Sequence, residues 1–218
     1  MGQLFKKRAN AIAWLTVFGI PLIILGISGC FYAFARSTFW TKVDSPLEQP
    51  VPFSHKHHVG DEGIDCRYCH ASVENSAFAG VPPTETCMTC HSQIWKDAPI
   101  LQPVRDSWQT GQPLKWVRVN YLPDYVYFDH SIHVNKGVGC ATCHGQVNEM
   151  SLTFKTQELY MRWCLNCHRQ PQQFLRPKSE VVSMSYQKPR DQLALGQRLL
   201  KQNNVQTAGL TDCYTCHR

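Results

Sequence analysis

With 218 residues and a 43% hydrophobic content, the chain has room for one or two domains and an appendage. Its formal charge of +6 is thinly spread, and no Lys/Arg run follows the KKR at Lys6, Lys7 and Arg8, so nucleic acid is excluded as a partner. Eleven cysteines exclude an ordinary protein of a reducing compartment.

Taken in chain order, residues 1–10 form a short basic N-terminus. The uncharged segment from Ala9 to Ala35, ANAIAWLTVFGIPLIILGISGCFYAFA, is longer than the roughly 20 residues a membrane helix needs. It predicts a transmembrane helix over 11–35. Pro21 is tolerated in such a helix, and Phe39 and Trp40 suit an interfacial anchor beyond it. The basic cluster places the N-terminus in the cytoplasm and the rest on the periplasmic face of a bacterial inner membrane. The rival is a cleaved signal peptide, with a lipoprotein-like ISGC whose Cys30 would carry lipid. The apolar run continues past Cys30 through FYAFA, which favours the retained anchor. Residues 36–52 follow as a Pro-bearing linker.

Ten cysteines fall into five C-x-x-C pairs: Cys66/Cys69, Cys87/Cys90, Cys140/Cys143, Cys164/Cys167 and Cys213/Cys216. A histidine follows each pair at once: His70, His91, His144, His168 and His217. C-x-x-C-H is the attachment motif of c-type haem. On one helical turn, residues i, i+3 and i+4 share a face, so both thiols reach the haem vinyls while the histidine rises beneath the iron. Zinc ribbons and disulfides also use paired cysteines, but neither needs a histidine after every pair. The cofactor expectation is therefore five covalently attached c-type haems.

The histidines outside the motifs are His55, His57, His58, His130 and His133. Aligning F-x-H-x-x-H-V in its two copies pairs His55 with His130 and His58 with His133, while His57 falls opposite Ile132. The four paired residues are expected as sixth ligands, with His57 a solvent or propionate neighbour. The motif histidine already occupies one face of its own haem, so one residue of each pair must serve a different haem. For the fifth iron the candidates are Met150 and Met184, since Met88 and Met161 are cramped against their own motifs; an open iron is the alternative. CHASVEN after the first motif and CHGQVNE after the third extend the duplication.

These features divide the outer domain into a first dihaem module (53–95), a connector (96–127), a second dihaem module (128–170) and a C-terminal segment with the fifth haem (171–218). The fold class is a multihaem cytochrome c. An N-terminal transmembrane helix leads into a mainly irregular, short-helix domain built around the haems. Within the connector, KWVRVNYLPDYVYF predicts a short strand. RDQLALGQRLLKQ predicts a helix over 190–202 with Leu193, Leu199 and Leu200 inward. Arg118 and Arg176 are candidate propionate partners, with a solvated surface as the default. No catalytic constellation stands out.

The strings PFSHKHHVGDEGIDCRYCH, VPPTETCMTCH, WVRVNYLPDYVYFDHSIH, GVGCATCHGQV, WCLNCHR and TDCYTCHR give the chain a close resemblance to the membrane-anchored pentahaem subunit (ActA) of alternative complex III. The resemblance runs from the anchor to the C-terminus. It implies electron transfer from quinol oxidation to a cytochrome c, copper protein or oxidase. It also implies partners: an iron–sulfur subunit, multi-span quinol-binding subunits and a monohaem cytochrome subunit. Two other functions compete. One is an anchored multihaem quinol dehydrogenase feeding a periplasmic reductase, of the NapC-like tetrahaem type. The other is a multihaem reductase with an open iron.

Overall fold

The computed structural model describes residues 6–217, which divide after Val43 into two compact units. The first unit is one long helix and a short continuation. Helix Lys7–Trp14 passes into a π-helical stretch, Leu15–Gly19, and then into helix Ile20–Arg36. The wider π turn sits directly ahead of Pro21, whose ring would clash with a carbonyl four residues back in a regular helix. Trp14 and Phe18 stack across it at 4.4 Å. From Arg8 to Arg36 the helix is 29 residues long with a mean hydropathy of 2.2, and none of that apolar window is buried. Length and composition suffice for a bilayer span, and a signal sequence passes the same test. Ser37 leaves the helical conformation, and its Oγ accepts from the Trp40 amide to start the turn Thr38–Thr41. Phe39 and Trp40 pack on Phe34 at 5.9 and 5.6 Å, keeping the aromatic pair at the helix end.

The second unit, from Asp44, is a set of short helices joined by irregular chain. Helices lie at all five cysteine pairs: Cys66–Cys69, Thr84–His91, Cys140–His144, Met161–Arg169 and Cys213–Cys216. Two longer ones, Gln102–Thr110 and Gln192–Gln202, brace them. The first ends at Gly111, which takes the left-handed φ of 67° that glycine accepts without strain. The second is the helix expected over 190–202, but its inward stripe differs. Gln192, Gly196, Leu199 and Asn203 form the inward stripe: Gln192 donates to the Gln172 carbonyl, Gly196 sits against that carbonyl where a β-carbon would collide, Leu199 is buried, and Asn203 donates to the Lys136 carbonyl. That 4-3-4 spacing leaves Leu193 on the flank, 58% exposed, so its expected inward position is corrected. Leu199 is buried and Leu200 partly so.

The strand expected around KWVRVN is also corrected: among the described residues there is no strand, and pairing is confined to isolated bridges such as Val126–His217 and Val138–Leu175. The reason is a missing ladder partner. The Gln49 side-chain amide takes that place, accepting from the Val117 N–H and donating to its carbonyl, both at 2.9 Å. Pro123 then interrupts the run.

Packing is sparse. The buried apolar residues are Val51, Val73, Val104, Met150, Leu175, Val181 and Leu199, and no side chain among the described residues falls below 2% exposure. So thin and scattered a set of apolar side chains is a poor core for a domain of this length.

Candidate functional site

Two of the short helices begin on an aspartate cap. Asp65 accepts from the Arg67 amide at 2.8 Å to cap Cys66–Cys69. Asp129 accepts from Ile132 to cap His130–Asn135, the helix carrying the second histidine pair. Hydrogen bonds to Arg67, and to the Ser131 hydroxyl, hold the Asp65 and Asp129 carboxyls respectively below the ordinary carboxylate range.

The histidines share one arrangement. Nδ1 of His70 meets the Gly80 carbonyl at 2.7 Å, that of His91 the Ile94 carbonyl at 3.0 Å, and that of His168 the Leu210 carbonyl at 2.8 Å. His217 meets the Tyr125 carbonyl at 3.1 Å. Outside the motifs, His58 meets Ser54, His133 meets Asp129 and His130 meets Ala77, again at carbonyls and at 2.7–2.9 Å. Two more are held by side chains: His55 by the Thr153 hydroxyl at 2.8 Å and His144 by the Asn120 amide at 3.1 Å. Asn120 Oδ1 is otherwise buried without a partner, so the amide orientation that turns it toward His144 Nδ1–H satisfies both groups. A Nδ1–H donated in this way fixes the tautomer and leaves the Nε2 lone pair for a metal.

Those rings face one another across even gaps. His58 and His91 have centroids 6.1 Å apart, His133 and His168 6.2 Å, and His130 and His144 6.4 Å, the last nearly parallel at 10°. Two imidazoles bonded to one metal from opposite sides, each at about 2 Å, have ring centres on the order of 6 Å apart once the ring radius is added. His55 completes the set beside His70, whose charge adds to burial in bringing its pKa down to about 4. Burial likewise holds His144 near 4, with His130 the next cause, and lowers His133. His55, His133 and His144 therefore stay neutral at physiological pH, as ligands must. The thiols beside them are pushed up by burial, Cys140 and Cys167 to about 11 and Cys143 to about 12.

The two copies of the duplicated stretch also match in detail. Phe53 stacks on His58 at 4.4 Å and meets His55 edge-on; Phe128 stacks on His133 at 4.5 Å and meets His130 edge-on. His57, opposite Ile132, stays half exposed, 3.8 Å from Asp61 and stacked on Trp95.

The comparisons follow this geometry. Residues 126–218 match the family described as cytochrome c7 and related cytochrome c. Over 146 residues the chain is 35% identical to the multihaem cytochrome c subunit of a menaquinone reductase from Nitratidesulfovibrio vulgaris, covering 66% of this chain and 65% of that protein. Both similarities are to cytochromes c with several haems. Covalently bound c-type haems come with that family, and the residues here fit them: paired thiols on helical turns, opposed imidazoles, and a scaffold with little core of its own.

The two methionine candidates have different surroundings. Met184 lines a cavity of about 350 Å³ with Cys66, Asp65, Gly60 and Asn148. Met150 is buried, its carbonyl accepting from the Lys56 amide. The surroundings of His217 are instead Tyr125, stacked at 5.8 Å, and Cys164, whose thiol feels that of Cys216. Arg118 is exposed. Arg176 is 6% exposed, donating to the Glu180 and Ser183 carbonyls and lying over the Tyr186 ring, with burial lowering its pKa. Thr153, Asn120 and the carbonyls of Ala77 and Leu210 escaped the sequence reading, because a hydrogen-bond acceptor in a loop has no motif. The repeated phenylalanine did have a signal, since it opens both F-x-H-x-x-H copies.

Proposed function

We propose that the chain is the haem wire of a quinone-linked, membrane-anchored oxidoreductase of the alternative complex III type. Five haems are attached at the five C-x-x-C-H motifs. Four irons carry two imidazoles each: His70 with His55, His91 with His58, His144 with His130 and His168 with His133. His217 holds the fifth iron, whose sixth ligand is Met150, Met184, Met161 or none. Electrons pass from quinol, bound by multi-span partners, to a cytochrome c, copper protein or oxidase. An iron–sulfur subunit and a monohaem cytochrome subunit share the complex. The helix Arg8–Arg36 anchors the chain with its haem domain outside.

The observation that carries this reading is the 6.1–6.4 Å spacing of three histidine ring pairs, each with Nδ1 already engaged. The test is a pyridine haemochrome assay with an electron paramagnetic resonance count of low-spin iron on the detergent-purified complex. Five haems per chain, at least four of them low-spin with imidazole on both sides, are expected, together with co-purifying subunits. Fewer haems than motifs, or predominantly high-spin iron, refutes it.

A second reading reverses the current. The relative is named a menaquinone reductase subunit, which favours electrons running inward to a quinone. Reduction of the haems by added quinol, without reoxidation by quinone, supports the first direction; the converse supports the second.

A further inference from the structure

The haems of a chain need not be wired in the order of their motifs, and the contacts between the repeats bear on that order. Aligning the copies makes Lys56 equivalent to Ser131, Gly60 to Asn135, Glu74 to Asn148 and Ser76 to Met150. The Lys56 amide donates to the Met150 carbonyl, and the Ser131 amide donates to the Ser76 carbonyl. Gly60 packs on the Asn148 backbone, and Asn135 Nδ2 donates to the Glu74 carbonyl at 2.7 Å. His55 is held by Thr153 from the second copy, and His130 by Ala77 from the first. The first two contacts are returned at equivalent positions, and the two histidines are each held from the opposite copy at nearby ones. That is the signature of a local two-fold axis, the arrangement of an isologous dimer within one chain.

We infer that the electron path runs second–first–third–fourth–fifth haem, folding back on the motif order where this two-fold contact joins the haem of Cys66/Cys69 to that of Cys140/Cys143. The inference rests on the haem count proposed above. The reciprocal contacts place the first and third motifs at the axis, with their partners outward on either side. On one arm, Tyr68 in the first motif bonds Thr89 in the second at 2.9 Å, and the other contacts of Thr84–His91 run to His58 and Ser107. On the other arm, the Thr156 hydroxyl, between the third and fourth motifs, donates to the Cys143 carbonyl. His168 of the fourth motif is then held by Leu210, just ahead of the fifth. The wire is lopsided, with the second haem at one end and the fifth at the other. Their motifs carry the exposed cysteines, Cys90 and Cys213.

The test is an anomalous-scattering map at the iron edge from crystals of the haem-loaded full chain, each iron assigned to its motif through the thioether bonds. The expected map gives the first-motif iron two iron neighbours, those of the second and third motifs, and gives the second-motif iron one. Direct adjacency of the second and third irons overturns the inference. Haem content is measured first, so a deficit there counts against the proposed function and not the order. A second arm uses Cys66→Ala/Cys69→Ala, which deletes the first haem. Fed from the fifth-haem end, this variant is expected to reduce three of its four remaining haems in the fast phase and the second-motif haem slowly; reduction of all four remaining haems in one fast phase refutes the order. The wild-type map decides the question even where this variant fails to mature.

Discussion

Replacing Thr153 by valine removes one hydroxyl while keeping the side chain's shape, and it separates the two ways this chain holds its imidazoles. Backbone carbonyls hold most of them, but His55 relies on the Thr153 hydroxyl at 2.8 Å. Donation from Nδ1 makes the ring a more basic ligand, which favours ferric over ferrous iron. Losing that acceptor raises the potential of the haem His55 serves. A hydrogen bond of this kind contributes roughly 1 kcal/mol, which for a one-electron couple is about 45 mV. A spectroelectrochemical titration of the purified protein, resolved into its separate haem components, reads the change. One component rises by about that amount and the others stay put. No shift, or a uniform shift of all components, refutes the argument that Thr153 acts through His55.

Gly60→Ala drives a β-carbon into the Asn148 carbonyl at the contact between the repeats. The helix-propensity gain of about 1 kcal/mol is outweighed by an overpacking cost of roughly 3, so chemical denaturation is expected to show a net loss of about 2 kcal/mol. Arg176→Met leaves the Glu180 and Ser183 carbonyls without their buried donor. A loss of about 2 kcal/mol is expected by denaturation, together with a lower potential for the haem at Cys140, because a cation beside the motif has gone. The capping carboxyl of Asp129 is lowered from its ordinary value of 3.8, first by the Ser131 hydroxyl. A depressed folded pKa means its stabilisation is complete above that ordinary value and lost as pH falls through the folded one. Circular dichroism is expected to show the acid loss of helix at pH below about 4, and Asp129→Asn is expected to flatten that limb.

The legible parts of the molecule are those where chemistry demands a side chain. The cysteine pairs, their histidines and the doubled F-x-H-x-x-H announce themselves, and the apolar run after Arg8 announces a long helix. Illegible were the places where backbone does the work. Nothing in the letters at Ala77, Tyr125 or Leu210 says that their carbonyls fix imidazoles from far along the chain. The connector misled because V-R-V-N alternates as a strand does, yet pairing needs a neighbour that the string cannot specify. Leu193 misled for a related reason: the C-terminal helix turns its glycine, not its leucines, toward the closest backbone approach, so contact distance overrides hydrophobicity there.

The bond between His55 and Thr153 spans 98 residues, and this has a consequence for biogenesis. In the orientation proposed above, a chain leaving the ribosome and crossing the membrane from its N-terminus delivers the first motif long before Thr153 arrives. The segment must therefore wait unlocked, its cysteines open to the attachment machinery, until the second repeat has also been translocated. Maturation is then a joint event for both halves. A product truncated between them is left with an imidazole that has no anchor, a mark by which quality control can tell it from the finished molecule.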